Sequence, residues 1–148
     1  MSVDLTKALE SLPHGEAFRF VDELIEWQPG ASARALYLIK GTESFLAAHF
    51  PGDPMMPGVI LVEAIAQLAG VAAQQGDFAA AINLRLAAVR QAKIFSAARP
   101  GDQLMIRVEI TARMGGLIQA EGQVCLLNSE GSEGAVVAKA QITLSGAG

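Results

Sequence analysis

Residues 56–73 read MPGVILVEAIAQLAGVAA, apolar on nearly every face of a 3.6-residue helix, with Glu63 and Gln67 as the polar exceptions. Pro57 suits a first helical turn, where its missing N–H costs nothing, and Gly76 supplies a stop, so a helix is expected from Pro57 to about Gln75. A helix this apolar has to be enclosed. Its length approaches a membrane span, but Glu63, Gln67 and the Pro57–Gly58 start favour a buried helix of a soluble protein, with no membrane partner.

The rest of the chain supplies the enclosure. "FRFVDELIEW" alternates, Pro29–Gly30 turns it into "ASARALYLIK", and the two read as a hairpin. Leu84–Phe95 reads as a long strand, and "RPGD" at Arg99–Asp102 turns it into the next. "QLMIRVEITAR" has a period of two, with Leu104, Ile106, Val108 and Ile110 on one face; "LIQAEGQVCLL" and "VVAKAQITL" repeat it. "DLTKALESL" adds a short amphipathic N-terminal helix. At 148 residues this is one domain, 1–148, of α+β class, in which an antiparallel sheet wraps a central helix. The composition is 51% hydrophobic and 18% charged, aliphatic rather than aromatic. Apolar surface left over by so small a domain is most simply buried between subunits.

A net charge of −4 gives no general attraction to nucleic acid. Basic residues nonetheless cluster between Arg85 and Arg113, either as a solvated, charge-protected sheet edge or as a docking surface for an acidic partner. Phosphate-binding glycine loops and zinc-ligand spacings are absent, so no metal is expected. The single cysteine, Cys125, reads as a small strand residue in a reducing, cytoplasmic setting, and the N-terminus has no signal-peptide pattern.

Glu63 is the acid that an apolar helix has to explain. A buried carboxylate without partners costs several kcal/mol, so Glu63 either belongs to an exposed polar stripe or sits in a cavity with something to do. Gln67 follows one turn later on the same face and can support it. His49 lies fourteen positions before Glu63, at the start of a loop stiffened by Pro51, Gly52, Pro54, Pro57 and Gly58. Gly58 places an N–H, bare of side-chain obstruction, at a helix N-terminus, good geometry for a polarised carbonyl. A histidine, a carboxylate and such a donor form a kit for proton abstraction beside a carbonyl.

"HFPGDPMMPGVILVEAIAQLAG", preceded by "LPHGEAFRFVDEL" and followed by "RPGDQL", resembles the 3-hydroxyacyl-[acyl-carrier-protein] dehydratases of FabZ type, over about Leu12 to Leu144. The resemblance implies a hot-dog fold and an obligate homodimer, often assembled further into a trimer of dimers. It implies dehydration of a 3-hydroxyacyl thioester to the trans-2-enoyl thioester. No cofactor is required beyond the phosphopantetheine of the acyl carrier protein that brings the substrate. His49 then matches the catalytic histidine and Glu63 the catalytic carboxylate, supplied by the other subunit. Gly58 matches the N–H that binds the thioester carbonyl, Met55 the carbonyl that holds the imidazole, Gln67 the residue that orients the carboxylate, and Val59 the tunnel wall. Arg90, Lys93 and Arg99 are candidates for carrier docking.

The chain departs from that pattern at Gly15–Phe18, at Ala48, and at Phe95–Ser96, where paired basic residues are common. These losses touch substrate entrance and carrier docking rather than proton chemistry, and leave open a specialised acyl or polyketide-like pathway. His14 carries no catalytic role in this reading. The alternatives are a hot-dog thioesterase, with Glu63 activating water, and a non-catalytic acyl-binding protein.

Overall fold

The apolar segment forms helix α1, Gly58–Ala72, in a computed structural model that describes residues 19–43, 46, 52–74 and 84–146. The expected N-terminal helix and both histidines, His14 and His49, lie outside the described residues. Pro57, with extended ψ of 140°, is the N-cap of α1. At its other end the helix stops short of the expected Gln75. The Ala72 carbonyl accepts the Gly30 N–H at 2.8 Å, and the Ala73 carbonyl accepts the Arg113 guanidinium. Terminal carbonyls satisfied by the β1–β2 turn and by a neighbouring strand need no further helical turn.

Six strands follow the expected order: β1 Glu23–Gln28, β2 Ser32–Leu38, then after α1, β3 Leu84–Ile94, β4 Gln103–Met114, β5 Leu117–Leu127 and β6 Glu133–Gly146. They form one sheet in the order β1-β2-β4-β5-β6-β3, every pair antiparallel. The period of two is realised as burial: Leu104, Ile106 and Val108 of β4, Ala120 and Val124 of β5, and Ala138, Ala140, Ile142 and Leu144 of β6 join Leu61, Ile65, Leu68 and Val71 of α1 in one core. This is the hot-dog arrangement. Cys125 is buried as well, and burial pushes its thiol up, which makes it a packing residue.

The sheet comes so close to the helix that one strand position has no room for a side chain. A Cβ on Gly122 of β5 would sit 2.6 Å from Ile65 Cγ2 and 2.9 Å from Val108 Cγ1. Glycine there is the condition for α1 to seat against β4 and β5.

The two sheet edges differ. β1 is short, bulged between Leu24 and Glu26, and carries Glu23 and Glu26, devices that discourage further pairing. β3 is eleven residues long, bonded only to β6, and exposed from Arg85 to Ile94 on both faces.

Replacing Gly122 by alanine is expected to lower unfolding stability by about 1–3 kcal/mol, read as a shift in denaturant midpoint. In an Ile65→Val background, which keeps Cγ2, the cost of Gly122→Ala should be unchanged, whereas in an Ile65→Ala background, itself lower by about 2–5 kcal/mol, the further cost of Gly122→Ala should be smaller.

Candidate active site

Gln67 connects the helix to the strand hairpin. It is a polar side chain in the core, 2% exposed, and its Oε1 accepts the backbone N–H of Phe20 at 2.9 Å. A backbone N–H needs an oxygen, so the orientation of the amide is fixed and its NH₂ faces the other way. That NH₂ donates to Glu63 Oε1 at 3.4 Å. Phe20 is itself held, buried and edge-on to Tyr37 with ring centroids 5.9 Å apart. The position of the Glu63 carboxylate is thus relayed through one amide to the backbone of the segment before β1.

Glu63 is half-buried. It shares a stripe of α1 with Val59, which is 76% exposed, and Gly70, which has open space beside its Cα. The curled sheet covers the other faces of the helix and leaves this one. The acid therefore stands at the margin of the core, tied inward through Gln67 and reachable from outside.

The helix start is fixed by the turn between β3 and β4. Met56 N–H donates to the Ala98 carbonyl at 2.7 Å, and Arg99 Nε and Nη2 bind the Asp53 carboxylate at 3.2 and 3.4 Å. The Arg99 N–H also donates to Asp102 Oδ2 at 2.8 Å, closing the Arg99–Asp102 turn on itself. Met55, half-buried, lies between these anchors. Among the described residues no side chain caps the N-terminus of α1, so its first N–H groups point out along the helix axis, as binding an oxyanion requires. The structure adds a neighbour to Gly58: a Cβ at this position would lie 3.0 Å from Ile94 Cγ1 and 3.2 Å from its Cδ1. The end of β3 packs against the helix start, so that a side chain at position 58 would have to push Ile94 aside by a few tenths of an ångström. Ile94 and Phe95, 50% and 56% exposed, continue that wall outward.

A second network fixes the chain as it leaves β2. Tyr37 O–H donates to Glu43 Oε2 at 2.7 Å, and the same carboxylate accepts the N–H of Lys40 at 3.1 Å and of Gly41 at 2.8 Å. Burial, reinforced by Glu43, pushes the Tyr37 phenol far above its ordinary range. Burial alone would raise the Glu43 carboxyl, but the Tyr37 hydroxyl and the backbone donors outweigh it and hold the group below its ordinary value. Leu46, whose N–H donates to the Glu43 carbonyl at 3.1 Å, is buried three residues before His49.

The structure thus brings Glu63, Gln67, Val59, Gly58 and Met55 into one region around the start of α1. Arg90 and Lys93 are exposed on β3, whereas Arg99 is committed to Asp53. Among the described residues, no group of three or more His, Cys, Asp or Glu is placed to hold a metal ion. Sequence reasoning missed Phe20, Ile94 and Glu43. Phe20 acts through a main-chain N–H and Ile94 by filling space, for which residue type gives no signal. Glu43 acts by reaching back to the main-chain N–H groups of Lys40 and Gly41, which its residue type does not announce.

Two outcomes follow from this geometry. Gly58→Ala should cost no more than about 1 kcal/mol, because the Ile94 side chain it meets is 50% exposed and free to yield, and any cost should vanish in an Ile94→Ala background, as read by thermal unfolding. Because the folded carboxyl of Glu43 titrates below its ordinary value of 4.5, its stabilising contribution is complete above that pH and is lost as pH falls through the folded value. Glu43→Gln should therefore be less stable than wild type at neutral pH, with the gap closing in acid below 4.5.

Residues 12–141 match the FabA-like domain family. Among curated proteins, the chain is 38% identical over 112 residues to a 3-hydroxyacyl-[acyl-carrier-protein] dehydratase FabZ of Caldanaerobacter subterraneus, covering 75% of this chain and 79% of that one. It is 33% identical over 140 residues to the FabZ of Listeria welshimeri, covering 95% and 93%. Among solved structures it is similar to the dehydratase heterocomplex ApeI:P of Xenorhabdus doucetiae, with a TM-score of 0.74 at 15% identity over 100% of this chain and 93% of that one. It is also similar to Cj0977, a virulence protein of Campylobacter jejuni, with a TM-score of 0.68 at 11% identity over 97% and 89%. At these identities the structural likenesses show the fold.

Proposed function

The chain belongs to the FabA-like family, and from that premise we propose how it acts as a 3-hydroxyacyl-[acyl-carrier-protein] dehydratase of fatty acid or related acyl chain biosynthesis, the activity named for its curated relatives. His49 removes a proton from C2 of the 3-hydroxyacyl thioester. The Gly58 N–H, at the uncapped start of α1, stabilises the enolate that develops on the thioester oxygen. Glu63 gives a proton to the C3 hydroxyl, which leaves as water, and the product is the trans-2-enoyl thioester. One proton is taken, one is given, and no electrons change hands, so proton transfer suffices without a metal or redox cofactor. The Met55 carbonyl holds the imidazole and Val59 lines the acyl tunnel.

The observation that carries this reading is the Phe20–Gln67–Glu63 relay. A buried amide whose oxygen is taken by a backbone N–H and whose NH₂ is turned on a carboxylate at the edge of the core serves to hold that carboxylate at a fixed angle. The buried Phe20 N–H by itself needs only an acceptor; turning the other end of the amide on Glu63 is what a site adds.

The open stripe of α1 and the unpaired edge of β3 support a homodimer with shared sites. Val59, Leu86, Val89, Ile94 and Phe95 are exposed apolar residues on or beside these two elements, and β3, although bulged and carrying Arg85, Arg90 and Lys93, is nearly twice the length of β1 and pairs on one side alone among the described residues. Pairing β3 with its copy would cover both, and in this reading Glu63 of one subunit completes the site of the other subunit's His49. Substrate arrives on the phosphopantetheine of an acyl carrier protein, with Arg90 and Lys93 available to an acidic surface. Arg99, paired with Asp53, is the weaker candidate. A cytoplasmic setting belongs to the same reading; among the described residues no helix is long and apolar enough to cross a membrane.

Product analysis by mass spectrometry on a 3-hydroxyacyl-carrier substrate tests the chemistry. Water loss is expected, whereas free acid would identify a thioesterase and unchanged substrate an acyl-binding protein. His49→Ala and Glu63→Gln should each slow turnover by about 10²- to 10⁴-fold. Mixing the two dead variants under exchanging conditions should restore roughly a quarter of wild-type activity, because half of the dimers are mixed and each regains one of its two sites. No recovery on mixing would mean that both groups act within one chain.

A further inference from the structure

The face of the sheet turned away from α1 carries a feature that the elimination does not use. Val108 is buried and Gly122 abuts Ile65, so their strand neighbours Arg107, Glu109 and Glu121 point to the opposite face. There they line a groove of about 400 Å³ that reaches across β6 to Gln91 and Lys93 of β3. Two like-charge pairs stand in it. Glu109 of β4 is in register with Glu121 of β5, and Lys93 of β3 with Lys139 of β6. Like charges directly opposed on neighbouring strands destabilise a sheet. Arg107 is neutralised by Glu133 at 2.6 Å, but none of these four residues joins an ion pair among the described residues. The same wall is strained: β3 bulges between Arg90 and Lys93, and Gln91 takes a φ of 52°, left-handed for a residue with a side chain.

Each pair is a local cost that an opposite charge from outside would remove. The arrangement names the shape of what supplies it. Glu121 is in register with Gln141 and Lys139 with Gln123, so the acidic and basic pairs lie one row apart along the strands and at opposite sides of one groove. An anionic ligand would meet the lysines and be repelled by the glutamates; a cation would meet the reverse. A surface with the same two pairs, rotated about a twofold axis lying between them, satisfies all four residues at once.

We propose that this outer face is a self-complementary contact between two copies of the chain, stacked sheet against sheet so that Glu109 and Glu121 of one copy lie over Lys93 and Lys139 of the other. The contact is separate from edge pairing through β3 and doubles whatever assembly the edge forms. Being charged, it weakens as salt rises.

The test is the mass of the full chain in solution, by light scattering after gel filtration. Two variants are compared with wild type: Glu109→Lys/Glu121→Lys, in which both pairs are basic, and Lys93→Glu/Lys139→Glu, in which both pairs are acidic. All four positions are exposed, so the changes do not reach the core. At low salt, wild type is expected at twice the mass of either variant alone, and an equal mixture of the two variants should regain the wild-type mass. At high salt, wild type should fall to half. Equal mass for wild type and both variants, or a mixture that fails to associate, would overturn the proposal. Dehydratase turnover plays no part in the readout, so failure of the catalytic reading and failure of this one are distinguishable.

Discussion

A helix apolar on almost every face has to be surrounded, and one curled sheet cannot close around the whole of its circumference. Most of this molecule follows from that constraint. The sheet covers α1 through β2, β4, β5 and β6, with Gly122 permitting the closest approach. What remains is a stripe from Val59 through Glu63 to Gly70. On that stripe the helix presents its one carboxylate, and beside it β3 presents its unpaired edge. The incomplete enclosure of the helix is what makes room for an active site.

The site itself is held mostly by backbone groups. A main-chain N–H at Phe20 fixes the Gln67 amide, which orients Glu63. A main-chain carbonyl at Ala98 fixes Met56 and with it the helix start. Glu43 gathers the chain leaving β2 through the N–H groups of Lys40 and Gly41. Such anchors are short-ranged and directional, and they hold the segments around the start of α1 while a stripe of the helix is left open. An arrangement of this kind gives up some burial at the centre of the fold in order to keep a rigid carboxylate accessible, a common balance at catalytic sites.

Much of this was legible in the chain. The period of two in β4, β5 and β6 and the apolar continuity of 56–73 identified those strands and α1, and the alternation around Pro29–Gly30 identified β1 and β2, because binary patterning reports which side chains face a core. Glu63 and Gln67 stood out because polar residues on an apolar helix carry a cost that calls for a reason. Legibility ended where main-chain geometry or neighbouring strands decide. The helix stops at Ala72 because Gly30 and Arg113 satisfy its terminal carbonyls. Gly58 meets Ile94, from a strand more than thirty residues away, and no local pattern announces that contact.

By itself, then, the sequence determined the α+β class, the order of the elements, the buried helix and the pairing of Glu63 with Gln67, all properties of periodicity and short helical spacing. Only the tertiary structure decided the strand order β1-β2-β4-β5-β6-β3, which face of α1 stays open, that Phe20 locks the Gln67 amide, that Arg99 is spent on Asp53, and that unpaired like charges share one outer groove. These depend on which distant segments meet. A residue's type records its preference for burial or water, but not the partner that long-range pairing will set against it.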